Sequence, residues 1–441
     1  MPAPLQFIKS TPQLPAEADV VIIGGGIIGV FTGFYLAKRG LKVAVLEKGV
    51  ISGEQSSRNW GWCRQQNRDS RELPLATKAL DLWEQFGIES GEDTGFRRCG
   101  LFYVSNDQEE IDTWARWGEY ARSVNVKTRM LTSQEATEHG AFTGQPWKGG
   151  VHSQNDGIAD PGLAVPAAAK ALMALGGTVH QACAARGLET TGGAVSGVIT
   201  ERGTIRTKTV IHAGGAWASS FCRQLGIVFP QATVRQTILG VGTGALSLPD
   251  AFYSKSLSIT RRGEGTHTLA ISGRAKVDPT PQFLKFQRQF IPMFRRRWKS
   301  TSPGGLQAFK AGHETLKRWR LDRRTPMEAM RILDPRPDAK TVRMTLEKAA
   351  ELIPALGSVP MVASWAGFVD STPDGVPVIG GVPALPGLIL AAGFSGHGFG
   401  IGPGAAHLVA DIVTGDDPIV DPRPYRLERF MPGAAIEVSD F

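Results

Sequence analysis

The first apolar stretch to stand out is Val20-Val21-Ile22-Ile23, four β-branched residues in a row after Asp19. An unbroken run of this length suits a strand buried on both faces of a parallel sheet. It runs straight into glycine. The following VFTGFYLAKRG places Val30, Phe31, Phe34, Leu36 and Ala37 as the packed positions of a helix, with Gly40 as its stop. Lys42 to Glu47 then predicts a second strand. Strand, glycine turn, helix and strand thus follow one another within about 30 residues, which is the βαβ unit.

Helical spacing returns over residues 72–90, and GLFYVSN near residue 100 predicts a strand opening a different layer. Residues 161–175 predict a helix of good formers, followed by a strand at 178–181. Further strands are expected at 194–200 and 204–211, the last ending in AGGAW. Apolar strands alternate with turns from about 230 to 275, and helical spacing resumes around 346–356. Leu388–Ala392 reads as a strand entering a second glycine loop that opens a helix. With 441 residues the chain exceeds the roughly 250–300 that one core holds. The expectation is an α/β protein of two intertwined domains. A Rossmann-type domain takes 19–95, 150–228 and 362–430. An α+β substrate domain, built on a mixed or antiparallel sheet, takes 96–149 and 229–361.

Composition alters this picture little: 42% hydrophobic and 20% charged residues are ordinary for a soluble globular chain. No apolar run reaches the roughly 18 residues of a transmembrane helix. The segment MPAPLQFIKSTPQLPAEAD lacks a signal-peptide core and predicts a surface arm, hence a cytoplasmic protein. Four scattered cysteines without a CxxC pair suggest neither a disulfide framework nor a metal site.

Charge changes the picture locally. The net +8 is concentrated between residues 279 and 324, where twelve Lys and Arg face two acids, Glu314 and Asp322. Phe283, Phe286, Phe290, Ile291 and Phe294 interleave with these basic groups. Such a helical insertion, spanning about 279–331, can lie on an anionic membrane. It can equally cover a substrate pocket and turn a solvated basic face outward. No nucleic-acid-binding fold accompanies the charge, so nucleic acid is excluded as a partner.

The chemistry begins at Gly24, Gly26 and Gly29, which with Ile27 and Ile28 satisfy GxGxxG. Such glycines permit the tight turn, the close approach of a pyrophosphate and the packing of helix on strand. Glu47, eighteen residues past Gly29, stands where a carboxylate accepts ribose hydroxyls. This context points to a dinucleotide without separating NAD from FAD.

Three further strings resemble the D-amino acid oxidase superfamily of FAD enzymes, which includes glycine and sarcosine oxidases: GVISGEQSSRNWGWCRQQN after Lys48, AGGAW at 213–217, and AAGFSGHGFGIGPG near the end. Within it, SGEQSSR, CAARGLET and DPRPYRLERF resemble the membrane-associated bacterial L-amino acid deaminases. The resemblance implies a cofactor site of Lys48, Gly53, Gln55, Ser56, Ser57, Arg58, Gly61, Trp62, Ala185, Ala213, Gly214, Trp217, Gly396, His397, Gly398, Phe399 and Gly400, besides the βαβ residues. It places Arg274 on the arginine that grips a substrate carboxylate, with Arg235 and Gln236 near another pocket position.

The implied activity is oxidation of an amino acid's Cα–N bond, with electrons passing to O2 or to a membrane quinone or cytochrome chain. The same loops serve oxidases of D-amino acids and secondary amines, and a flavoprotein without catalysis is the rival of another class. Related sarcosine oxidases attach flavin through a cysteine near the position of Ala366, whereas no cysteine follows Cys222, so FAD is expected to bind non-covalently.

The chain departs from the deaminases in lacking their N-terminal transmembrane helix, which leaves contact with the inner face of the cell membrane to the basic segment. Trp62 replaces a glutamine and His397 a tryptophan. Trp62 and Trp60 either wall the pocket or pack the core, and His397 either contacts substrate and reduced flavin or bonds nearby backbone. Asp370 can pair with a cationic substrate side chain or serve as a turn carboxylate beside Pro373.

Overall fold

The computed structural model describes residues 3–438. Its centre is a six-stranded sheet in the order Val378–Gly381, Leu388–Ala392, Thr209–His212, β1 (Val20–Ile23), β2 (Val43–Leu46), Thr178–His180. All neighbours run parallel except the edge strand Val378–Gly381. The period of two sorts β1 between two cores. Val20 and Ile22 pack with the helices α1 (Ile27–Lys38), Ala164–Ala174 and Gly402–Thr414 on one face. Val21 and Ile23 pack on the other face with a three-stranded antiparallel sheet, Ala185–Thr191, Ala194–Thr200 and Gly203–Arg206. Helix α1 is buried from Ile27 through Ala37 because helices cover it on both sides.

One expectation changes here. The strand expected at 204–211 is two strands in different sheets, Gly203–Arg206 and Thr209–His212. Between them Thr207 turns the chain by donating its hydroxyl to the carbonyls of Asp19 and Thr209. The N-terminal arm runs along the surface, anchored at Ile8, which is 4% exposed, and at the Ile8 carbonyl and Ser10 hydroxyl, which accept from Gln181.

The second layer is a ten-stranded mixed sheet built around Ala232–Gly242. That strand pairs along its length with Met361–Ser371 and on its other edge with Thr266–Ala270 and Ala275–Val277. The sheet continues through Ser258–Arg261, Ala251–Tyr253, Leu101–Ser105, Gly149–Ser153 and Arg129–Leu131. Most pairs are antiparallel; Ala251–Tyr253 with Leu101–Ser105, and Ala275–Val277 with Thr301–Pro303, run parallel. The expected divisions at 149/150 and 361/362 fall inside the strands Gly149–Ser153 and Met361–Ser371 of this sheet.

The basic insertion opens with a helix, Pro281–Arg297, capped by the Thr280 hydroxyl on the Phe283 N–H. Its inward side sets Phe286 and Phe290 against Ala232, with Phe283 packed partly in. Its outward side leaves Leu284, Ile291 and Phe294 exposed, followed by Trp298, Leu306 and Phe309. The segment is tied down by Glu314, which accepts from the Thr233 N–H at 2.6 Å and the Thr280 hydroxyl at 2.7 Å. Among the described residues no helix is long and apolar enough to cross a membrane.

Candidate functional site

The carboxyl ends of the parallel strands open on a cavity of about 900 Å³ that reaches across to the ten-stranded sheet. At one end the turn after β1 enters α1. Gly24 has φ +117°, and a Cβ there would stand 2.3 Å from the Ala213 carbonyl oxygen; at Gly29 it would stand 2.0 Å from that of Gly24. Only glycine lets these three backbone segments meet. Glu47 at the end of β2 accepts from the Gly25 N–H at 2.8 Å and the Gly49 N–H at 2.6 Å, while burial raises its pKa. Ser56 accepts from the Ile27 N–H at 2.9 Å and so caps α1. Among the described residues, the Ser52 hydroxyl, the Trp217 indole N–H and both ring nitrogens of His212 are buried without hydrogen-bond partners, and all three residues line the cavity. Buried polar groups rarely stay unpaired, and a ligand bearing phosphates, hydroxyls and ring nitrogens is what such a wall fits.

At the other end five aromatic rings meet: Trp60 lies 5.1 Å from Trp62, Trp62 5.9 Å from Tyr103, and Tyr103 5.2 Å from Tyr253 and 5.9 Å from Trp114. All five line the cavity. Trp62 is oriented by donating its Nε1–H to the Thr260 hydroxyl at 2.6 Å, and Tyr253 by donating to Glu110 at 3.2 Å. The loop 394–400, with His397, and Arg64, Arg68, Arg274 and Arg297 also line the cavity. Burial, then Arg64, lowers the pKa of Arg68 to about 10.

A family model of FAD dependent oxidoreductases matches residues 19–412. This chain belongs to that family. It is 28% identical to the glycine oxidase of Pseudomonas aeruginosa over 417 residues, covering 92% of this chain and 97% of that protein. The solved L-amino acid deaminase of Proteus myxofaciens, in complex with anthranilate, superposes with a TM-score of 0.92 at 28% identity, over 98% of this chain and 97% of that one. The L-amino acid deaminase of Proteus vulgaris gives 0.90 at 28% identity, over 96% and 100%. The protein is therefore an FAD enzyme of the amino acid and amine oxidase family. Once bound, FAD supplies the ring that takes up a hydride. The cradle around Gly24, Gly26 and Glu47 and the orphaned atoms of Ser52, Trp217 and His212 suit its nucleotide half.

Within this FAD enzyme, most of the residues expected at the site share one cavity: Gly24, Gly26, Ile27, Ile28, Glu47, Lys48, Gly53, Gln55, Ser56, Arg58, Trp62, Ala185, Ala213, Gly214, Trp217, Gly396, His397, Gly398, Phe399 and Gly400, with Gln236 and Arg274. Gly29, Ser57 and Gly61 stand behind the wall instead. Gly29 packs α1 on β1, Ser57 bonds the Glu54 carbonyl, and Gly61, at φ +82°, lies against the Ala159 carbonyl.

Arg235 is the clear correction. Along the strand Ala232–Gly242 successive side chains face opposite ways, so Gln236 meets the cavity while Arg235 is buried behind it, 3.8 Å from Asp278 and bonded to the Arg336 carbonyl. Arg274 is not on a strand but in the connection between Thr266–Ala270 and Ala275–Val277, exposed and on the cavity lining.

Lys48 and Arg58 spend their charge within the protein. Lys48 holds Glu54 and the carbonyls of Met330 and Arg331, and Arg58 holds Asp334 and the carbonyls of Gly53 and Ala366. Asp370 is not a turn carboxylate beside Pro373: it lies in the strand Met361–Ser371, lines the cavity and accepts from the Gly393 N–H at 2.8 Å, with burial raising its pKa to about 6.

Sequence reasoning missed Tyr103, Trp114, Tyr253 and His212 in the wall, and Glu72, which bonds His397 from behind. Each sits in an ordinary apolar or helix-start pattern, so no local signal marked it.

Proposed function

We propose that this enzyme oxidises the Cα–N bond of an L-amino acid to an imino acid, which water hydrolyses to a 2-keto acid and ammonia. The observation that carries the proposal is the single cavity in which both glycine loops, Arg274 and the aromatic wall meet. Arg274 holds the substrate carboxylate, its planar fork making two parallel charge-assisted bonds that decide which Cα–H faces the flavin. The aromatic wall receives the side chain, which must be apolar enough to replace water against five rings. The amino nitrogen reacts as the neutral amine, whose lone pair assists departure of the hydride. The L-configuration is favoured by the fit to the Proteus deaminases along nearly the whole chain. The electron acceptor is O2 or a membrane quinone or cytochrome chain.

The outward face of the insertion supports contact with the inner face of the cell membrane, since Phe294 and Trp298, 59% and 56% exposed, stand beside Arg295 and Lys299.

An anaerobic screen of L-amino acids, D-amino acids and N-methyl amines tests the substrate class through bleaching of the flavin band. Faster reduction by D-amino acids or sarcosine overturns the L-assignment, and a flavin that no candidate reduces points to a non-catalytic flavoprotein. Replacing Arg274 with Ala is expected to raise the substrate KM at least tenfold, because both charge-assisted bonds to the carboxylate are lost. An unchanged KM removes Arg274 from the site.

A further inference from the structure

Glu72 is a fully buried carboxylate that none of the roles above employs. It precedes the helix Leu73–Ser90 without capping it. Its Oε2 instead lies 3.0 Å from Nδ1 of His397, 325 residues away in the sequence. With this carboxylate oxygen accepting, Nδ1 carries the hydrogen and Nε2 keeps its lone pair. That Nε2 has no protein partner among the described residues and, unlike the ring nitrogens of His212, is not sealed from solvent. His397 lines the cavity with 22% of its side chain open.

We propose that Glu72 is a positioning residue that fixes His397 in its Nδ1–H tautomer, so that Nε2 accepts an N–H of the substrate's amino group. The proposal rests on amino acid oxidation as the function and adds the group that recognises the nitrogen. Burial and the Arg68 guanidinium hold the imidazole's pKa down to about 4, against Glu72, which raises it; Arg64 adds to the lowering. The ring is thus neutral at pH 7 and accepts without taking the proton. A protonated ring would present two donors and repel a substrate ammonium. With Arg274 on the carboxylate and the aromatic wall on the side chain, Nε2 supplies a third point of attachment. Three points around Cα are what a choice of enantiomer requires.

The test uses flavin-loaded enzyme and two ligand pairs, L-phenylalanine with 3-phenylpropanoate and L-alanine with propanoate. Affinity is read anaerobically, for the amino acids from how the rate of flavin bleaching saturates with their concentration and for the des-amino acids from the spectral shift they induce in the oxidised flavin. His397→Phe is expected to weaken the amino acids roughly 10- to 100-fold and the des-amino acids by less than about twofold. Glu72→Gln retains an acceptor for Nδ1–H and should shift amino acid binding by less than about threefold. Glu72→Leu frees the tautomer and should behave like His397→Phe. Equal weakening of both members of a pair, or amino acid binding unchanged in His397→Phe, overturns the proposal. If Glu72→Leu does not fold, the two His397→Phe comparisons decide. A wild-type enzyme that binds both members of a pair but is reduced by no amino acid would instead overturn the proposed function, separately from this assignment.

Discussion

Replacing Glu314 by Gln should change how stability depends on pH, because this carboxyl is buried where the basic insertion meets the central strand of the larger sheet. Burial pushes its pKa from an ordinary 4.5 to about 7, against the hydrogen bonds from Thr280 and Thr233, which lower it. Between these two values the unfolded chain has released the proton and the folded chain still holds it. Folding therefore takes up a proton, and stability falls as pH rises through the window from 4.5 to 7. At about 1.4 kcal/mol per pH unit the full penalty, complete above pH 7, is roughly 3 kcal/mol.

A glutamine keeps an oxygen to accept from the Thr233 N–H but cannot titrate. Its fixed cost of accommodating an amide is the same at every pH and cancels when slopes are compared. Denaturant unfolding of wild type and Glu314→Gln, measured from pH 4.5 to 8, should therefore show the wild type losing roughly 3 kcal/mol more than the variant. Asp156 and Asp370, whose pKa values burial raises to about 6, titrate in both proteins and drop out of the difference. Parallel pH profiles would refute the argument, because they would mean that Glu314 titrates alike in the folded and unfolded chains.

The other expectations concern the cofactor cradle and the insertion. Gly29→Ala places a methyl group 2.0 Å from the Gly24 carbonyl oxygen, so FAD affinity, followed by flavin fluorescence, should fall at least tenfold. Gly87→Ala, in open space on the helix Leu73–Ser90, should instead add about 0.5–1 kcal/mol of stability in the same unfolding assay. The enzyme should float with vesicles containing phosphatidylglycerol and lose that association on raising salt or on replacing Phe294 and Trp298 with Ser. Absence of flotation would leave the insertion only the task of covering the cavity.

The local pattern determined the βαβ unit, the second glycine loop and hence the dinucleotide, because these depend on short-range requirements. Val20–Ile23 must be a doubly buried strand, and Gly24 and Gly29 must lack Cβ atoms, whatever the rest of the chain does. The SSR, AGGAW and GHGFG strings then identified the dinucleotide as FAD. The alternation rule that runs through every strand was also present in the sequence, but its phase was not. Whether Arg235 or Gln236 faces the cavity depends on which face of the strand is covered, and the partners that hold Arg235 away from the cavity, Asp278 and the Arg336 carbonyl, come from far along the chain.

Tertiary structure alone decided the remainder. Glu72 looks like an unremarkable carboxylate at a helix start until the chain returns, more than 300 residues later, to set His397 against it. Tyr103, Trp114 and Tyr253 are apolar positions of a strand, a helix and another strand, and become a wall only when the larger sheet pairs Tyr103 with Tyr253 in parallel register. The sequence by itself thus determined the cofactor and the fold class, since backbone constraints are written into adjacent residues. The substrate end was decided only in three dimensions, since it is assembled from side chains whose partners lie in other elements.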